Sequence, residues 1–353
     1  MNEMRKALRI GLECAAPDLL FNRFVDKLRN SRAHMSDGRS KFLFPGIILL
    51  LISGSLLMLQ KRGDNSETIS ASGAFAIYPM MIEWADAYQG LHEDVKFEIS
   101  AGGAGKGVVD ALSNLVDIGM VSREVYSEEV ERGAVWVAVA KDAVVITINA
   151  DNPFLEQILE QGVTSEMLEK VFIAGEITTW GELLSLPEYT QEINVYTRSD
   201  ACGAAATFAK YLGYMQEDLL GVGVYGDPGL AEAVSEDELG LGYNNVNYAY
   251  DMSTGMAVEG LRVAPLDLDG NGVITPEEDF YSERGSMIDA IASGTYPSPP
   301  SRELNLVTKG EFNDGVLDFV KWVLTEGQGI AKEAGYVPLS LERRTEELAK
   351  LED

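Results

Sequence analysis

An α/β fold preceded by one apolar span is the class that the sequence predicts for this chain of 353 residues. Three observations carry it. After residue 66, strand-like runs alternate with helical ones; no repeat of about 20 to 50 residues marks a solenoid; and Phe42 to Leu59 runs for 18 residues without a charge. The outer elements follow one design. Thr68 to Ser72 reads as a strand, Gly73 as a turn, and Pro79 to Tyr88 as a helix with proline near its start, where the missing N–H has no partner to lose. Val95, Phe97 and Ile99 alternate as on a half-buried strand, and the stretch Ala101 to Gly107 turns into a helix from Val108 to Leu115. Ile193 to Tyr196 leads through Arg198-Ser199-Asp200-Ala201-Cys202-Gly203 into a helix from Ala204 to Leu212.

Composition limits the chemistry. With 46% hydrophobic and 24% charged residues the chain can bury a core large enough for two compact units. Asp and Glu number 56 against 28 Lys and Arg, a formal net charge of −28, which repels nucleic acid. Two cysteines (Cys14, Cys202) and two histidines (His34, His92) supply little for a disulfide scaffold, a zinc centre or a Ser-His triad.

The uncharged run is close to the roughly 20 residues that cross a bilayer as a helix. Residues 1–41 hold nine Lys and Arg, whereas only Lys61 and Arg62 follow the run directly. The positive-inside rule then makes residues 1–41 a cytoplasmic tail, residues 42–59 a single-pass membrane anchor, residues 60–66 a linker, and places the remainder outside the cell. A cleaved secretion signal competes, because Ile52-Ser53-Gly54-Ser55 offers small residues after an apolar stretch. The apolar run continues to Leu59, and the nearest Ala-x-Ala, Ala74-Phe75-Ala76, falls in a binding turn, so the anchor is preferred. Met35 is an alternative start for the chain.

The repeated strand, small-residue loop and helix aims free backbone N–H groups and the positive end of a helix dipole at one point, which suits an oxyanion. One such corner alone is ordinary packing; three, one with an arginine, point to a site. The second corner fails both nucleotide patterns. Gly107 stands where a P-loop needs Ser or Thr after its lysine, and the glycine spacing is one residue short of the dinucleotide fingerprint.

Several stretches, in their order and spacing, resemble the solute-binding proteins of phosphate ABC transporters. They are Ser72 to Pro79 with Trp84 to Tyr88, Ser100 to Gly107, Val116 to Arg123, Val171 to Trp180, Arg198 to Gly203, Leu306 to Gly310 and Gly335 to Leu339. The resemblance spans about Ile69 to Leu339. It implies a two-lobed periplasmic-binding-protein fold with a hinge, lobe one formed by residues 67–146 and 251–353, lobe two by residues 147–250, and crossings near Val144 to Asn149 and Gly242 to Tyr250. It implies an oxyanion, phosphate first, bound between the lobes and handed to a membrane permease driven by a separate ATPase. The implied anion contacts are Gly73, Ala74, Phe75, Ala76, Gly103, Ala104, Gly105, Ser122, Arg123, Arg198, Asp200, Ala201, Cys202 and Gly203. Family members usually carry Ser or Thr hydroxyls where this chain reads Phe75-Ala76, Ala104 and Ala201-Cys202-Gly203-Ala204. Arg198 as the charged clamp and backbone N–H groups therefore bear the load, with Asp200 as the candidate acceptor for a proton on the ligand. A site lacking such an acceptor suits sulfate, molybdate or tungstate instead.

Asp267 to Glu278 matches the calcium loop Asp-x-Asp/Asn-x-Asp/Asn-Gly-x5-Glu at every fixed place. Carboxylates of Asp267, Asp269 and Glu278, the amide of Asn271 and the carbonyl of Val273 can surround a structural Ca²⁺. The flank Leu261 to Leu266 reads as a strand, unlike an EF-hand helix. An enzyme reading, with Cys202 as nucleophile and His92 as base, finds no orienting partner for His92 and is set aside; a surface sensor without transport remains a further alternative.

Overall fold

The structure, a computed structural model, describes residues 67–352. The apolar run Phe42 to Leu59, its flanks and Met35 lie outside the described residues, and among the described residues no helix is long and apolar enough to cross a membrane.

One sheet organises the chain. Its strands are β1 (Glu67–Gly73), β2 (Val95–Ala101), β3 (Ile118–Val121), β4 (Ala134–Asn149), β5 (Asn194–Arg198), β6 (Val222–Val224), β7 (Gly240–Asn245), β8 (Leu261–Ala264), β9 (Ser301–Lys309) and β10 (Val337–Pro338). They run in the order β2-β1-β3-β9-β4-β7-β5-β6, with β8 and β10 also on β4. The parallel pairs β1/β2, β1/β3, β5/β6 and β5/β7 are joined through helices, as parallel pairing requires. Near-continuous apolar sequence in β4, AVWVAVAKDAVVITIN, is that of a strand covered on both faces, and all but a few of its residues are buried.

β4 is long enough to serve two cores. Its first part, Ala134 to Ala143, pairs with β9; its second, Val144 to Asn149, pairs with β7 and β8. One core gathers Ile69, Met80, Trp84, Met120, Val137, Leu306 and Phe319, with Tyr88 and Phe97 edge-on to the Phe319 ring. The other gathers Ile148, Phe172, Trp180, Phe208, Tyr243, Tyr250 and Tyr296. Residues 251–300 depart from the expectation that they join lobe one. Val263, Leu266, Phe280, Met287, Ile291 and Tyr296 all pack into the second core, so the calcium-type loop sits on lobe two. The physical reason is register: β8 pairs with the distal half of β4, and Asp267 N and Val163 N bond across to Val163 O and Pro265 O. The chain accordingly crosses between the cores at the middle of β4 and again just before β9.

The three expected corners form with modest shifts of boundary. β1 turns at Gly73 into the helix Tyr78–Leu91, β2 turns into Ala104–Leu112, and β5 turns into Gly203–Tyr211. Gly73 (φ +137°) and Gly103 (φ +90°) adopt backbone conformations that a Cβ disfavours, which explains glycine at those two turns. Cys202 caps the third helix, its Sγ accepting from Ala205 N at 3.4 Å.

Candidate functional site

The three corners meet. Gly105 N donates to Ala201 O at 3.1 Å across the gap between the cores. A Cβ on Gly103 would lie 2.8 Å from Asp200 Oδ2, and one on Gly203 would lie 2.1 Å from Ser122 Oγ. Small residues at these places let backbone approach backbone. Ala74 and Ala76 are buried, and Phe75 reaches from the first corner across to the third: its ring centroid is 5.5 Å from the Arg198 guanidinium carbon. Tyr225 packs edge-on against that ring, and Tyr248 Oη donates to Phe75 O at 3.1 Å.

Arg198 is the centre of the cluster. Its side chain is 1% exposed, and it donates from Nε to Asp200 Oδ1 at 2.8 Å, from Nη2 to Asp200 Oδ2 at 2.6 Å and from Nη1 to Asp227 Oδ2 at 2.5 Å. Burial works against the charge, and Asp227 with Asp200 outweighs it, so the guanidinium is held above its ordinary value and stays charged. Two carboxylates thus face one cation. Asp200 Oδ1 also accepts from Gly226 N at 3.1 Å, and Asp227 Oδ1 from Asn245 N at 3.1 Å. Gln216 braces the loop, donating to Asp200 O and accepting from Cys202 N.

Asp227 and Gln216 are the residues that sequence reasoning missed. A signal for Asp227 was present. β6, Gly226 (φ +75°) and the helix Gly226–Ser235 make a fourth strand, glycine and helix corner, with the acid in its first turn. Gln216 gives no comparable pattern.

Other expected contacts are displaced. Arg123 is engaged with other partners: it forms a paired bond to Glu129 at 2.9 and 2.7 Å, lies 4.0 Å over the Tyr126 ring, and lines a cleft of about 440 Å³ beside Trp136 and Lys210. Glu129, three residues after Tyr126 in a short capped helix, is a nearer partner for it than the site. Ser122 is buried where the corners meet, and its carbonyl takes Arg302 Nε at 3.2 Å. Several expected N–H donors are engaged: Gly103 N on Gly73 O, Gly105 N on Ala201 O, Gly107 N on Gly103 O. Ser72 Oγ donates to Asp110 Oδ2 at 2.6 Å, which also takes Lys106. Burial pushes the Cys202 thiol up to about 12, and His92 stacks on Tyr88 at the other core, which separates the pair that the enzyme reading would need.

In the calcium-type loop an oxygen from each of Asp267, Asp269 and Glu278 lies within 4.8 Å of the others. Asp267 accepts from Gly270 N at 2.8 Å and Gly272 N at 2.9 Å, and Glu278 folds back to take Leu268 N at 2.8 Å. Gly272 (φ +80°) makes the sharp turn at the sixth place. Three hard carboxylate oxygens so close together are donors of the kind that Ca²⁺ takes, while the Asn271 amide donates to Asp269 Oδ2 at 2.9 Å and accepts from Val273 N at 2.8 Å.

A family model described as a PBP superfamily domain matches residues 60–326. The chain belongs to this family. Among similar proteins, the phosphate-binding protein PstS of Xylella fastidiosa is 26% identical over 315 residues, covering 78% of this chain and 82% of that protein. PstS of Bacillus subtilis is 24% identical, covering 83% and 94%. Of solved structures, a substrate-binding protein of Clostridium perfringens with bound phosphate superposes with a TM-score of 0.62 at 22% identity, covering 78% of this chain and all of that one. An ABC-type phosphate transport receptor of Vibrio cholerae superposes at 0.56 and 18%, covering 77% of this chain and all of that one. These likenesses establish the α/β binding-protein fold expected from the sequence.

The clamp predicts its own mutational signature. Arg198→Ala leaves Asp227 and Asp200 buried without their cation, and should lower the unfolding free energy by about 3–5 kcal/mol. Arg198→Ala combined with Asp227→Asn should recover part of that loss in urea denaturation; a single variant as stable as the parent contradicts the assignment of Arg198 as the centre of the cluster.

Proposed function

We propose that this protein is an extracytoplasmic solute-binding protein that captures an oxyanion, phosphate first, between its two lobes and delivers it to an ABC importer's permease and ATPase. The observation that carries this reading is the convergence of three strand-to-helix corners on one buried arginine. Family membership and relatives named for phosphate binding support it. The chain performs no chemistry of its own; its work is capture by closure about the middle of β4 and the connection before β9.

The carboxylates beside Arg198 favour phosphate over sulfate. Asp200 and Asp227 repel a fully deprotonated dianion, whereas a ligand that carries a proton can donate it to a carboxylate oxygen. Entry requires the first corner to swing away, because Phe75 covers the guanidinium when the lobes meet. Parting them also exposes Gly105 N, now engaged by Ala201 O, and a ligand in the gap can take that donor. The loss of hydroxyls is offset in this reading by backbone donors and by Arg198.

Two further parts complete the proposal. Residues 42–59 anchor the protein in the membrane by a single pass with the binding domain outside, on the strength of the charge asymmetry around that run. Asp267, Asp269, Asn271, Val273 and Glu278 hold a structural Ca²⁺ that ties the loop to lobe two, where Ile274 N bonds to Glu160 O.

Titration calorimetry of the chain with phosphate, sulfate, molybdate and tungstate tests the ligand. Phosphate should bind, and Arg198→Lys, which keeps the charge but loses the forked pair of bonds, should weaken it by about 3 kcal/mol, roughly a hundredfold. Silence towards all four anions, or unchanged binding in the variant, overturns the site. EDTA should lower the melting temperature, and Glu278→Gln should abolish that sensitivity; a parent protein indifferent to EDTA removes the metal. Protease added to intact cells should digest residues 67–353; their full protection, or a mature chain beginning near Leu56, rejects the anchored topology.

A further inference from the structure

Asp142 lies at the crossing between the cores, on β4, and is 0% exposed. Neither of its carboxylate oxygens makes a well-formed hydrogen bond, and the neighbouring Ala143 N–H gives it only partial support. Opposite it in register on β9 stands Arg302, whose Nη2 is 3.7 Å from Asp142 Oδ2. Arg302 is shared: Nε donates to Ser122 O of the first lobe at 3.2 Å, and Nη2 donates in a short bond to Asn245 Oδ1 of the second. Asn245 N in turn bonds to Asp227, and Asp227 bonds to Arg198. A continuous polar line therefore runs from the crossing to the clamp.

The groups facing Asp142 come from both lobes. Arg302 approaches from β9 and Tyr336 from the turn before β10 on the first lobe; Asp227 and Tyr248 approach from the second. Tyr336 and Tyr248 bond to successive carbonyls of the first corner, Ala76 O at 2.8 Å and Phe75 O at 3.1 Å. Burial of Asp142 is thus a property of the lobes in contact. If they part, water reaches the carboxylate; when they close, an ionised carboxylate is left without a well-formed hydrogen bond, which is costly.

We propose that Asp142 and Arg302 form a proton-gated latch, in which protonation of Asp142 favours lobe closure and ionisation favours opening. Burial pushes the Asp142 carboxyl up to about 6 against the pull of Arg302. The sign follows from linkage: a carboxyl raised in the closed form binds its proton more tightly there, so closure is favoured in acid and loses that support as pH rises through about 6. With an ordinary carboxylate value of about 3.9 in the open form, the ratio of closed to open should fall about tenfold between about pH 5 and about pH 7.5. Neutral Asp142 also stops competing for Arg302, which then staples Ser122 to Asn245.

The test measures the distance between spin labels at Leu115→Cys and Val222→Cys, exposed positions one in each lobe, in the full chain with Cys14→Ser and no oxyanion in the buffer. Without ligand, the outcome is separable from whether the protein binds phosphate. The parent distribution should move to longer distances on raising the pH, and Asp142→Asn should hold the acid distribution at both pH values. Arg302→Gln, which removes the cation that pulls the Asp142 carboxyl down, should move the change in distances to higher pH. A parent whose distances ignore pH, or an Asp142→Asn variant that shifts as the parent does, overturns the latch; the parent arm needs no substitution at the crossing and so does not depend on that variant folding.

Discussion

The buried charge cluster of Arg198 with Asp200 and Asp227 is the constraint to which the surrounding structure answers. A guanidinium removed from water needs oxygen partners, and this one takes them from two directions: from its own loop, two residues on, and from the first turn of the helix Gly226–Ser235. β5, β6 and the helix Gly226–Ser235 must then be held in fixed relation. The backbone does this through Gly226 N on Asp200 and Asn245 N on Asp227, so that the carboxylates are themselves oriented by the sheet. Tyr243 adds a third tie, accepting from Arg198 N at 3.2 Å while sharing a hydroxyl contact with Thr197. The arginine is set by its frame before any ligand arrives, which is what preorganised recognition of an anion requires.

The same constraint accounts for small residues where hydroxyls would be expected. Gly105 approaches the Ala201 side chain and carbonyl so closely that an added Cβ would sit 2.9 Å from one and 3.1 Å from the other. Gly203 is pressed against Ser122 in the same way. Contact between corners is thus made by backbone, with Phe75 as the apolar cover over the guanidinium. In the proposed function an anion competes with these contacts, and its affinity is a difference between what it gives Arg198 and Gly105 and what Asp227 and Ala201 gave them already.

Much of this was legible in the residues. Three corners are legible as small-residue loops between strand-like and helical runs, and each forms, because close backbone approach leaves few residues able to stand there. Arg198 was legible for its place between strand and helix. What escaped was long-range. Asp227 lies 29 residues from its partner, and a carboxylate in a helix's first turn is so common that only folding reveals which cation it meets. Arg123 was misplaced for the opposite reason: a local partner, Glu129, six residues on, was available and took it. The placement of residues 251–300 was missed because β8 and β7 both pair with β4, and adjacency in sequence to one lobe says little about which half of a 16-residue strand a later segment will choose.

β4 gives the charge cluster its mechanical setting. A strand that serves both cores must pass between them, and its middle carries Lys141-Asp142, the lysine exposed and the aspartate buried. A charge placed inside the crossing would be eliminated from a rigid core, since an apolar residue of similar volume is usually as stable or more so. At a joint between two cores the same charge has a different consequence: its cost depends on how the lobes sit, and the cation that answers it, Arg302, touches both lobes and lies three hydrogen bonds from Arg198 through Asn245 and Asp227. The poorly met oxygens of Asp142 and the met oxygens of Asp227 are then opposite ends of one polar line, and in the proposed latch closure satisfies the site while it strains the hinge for as long as Asp142 is ionised.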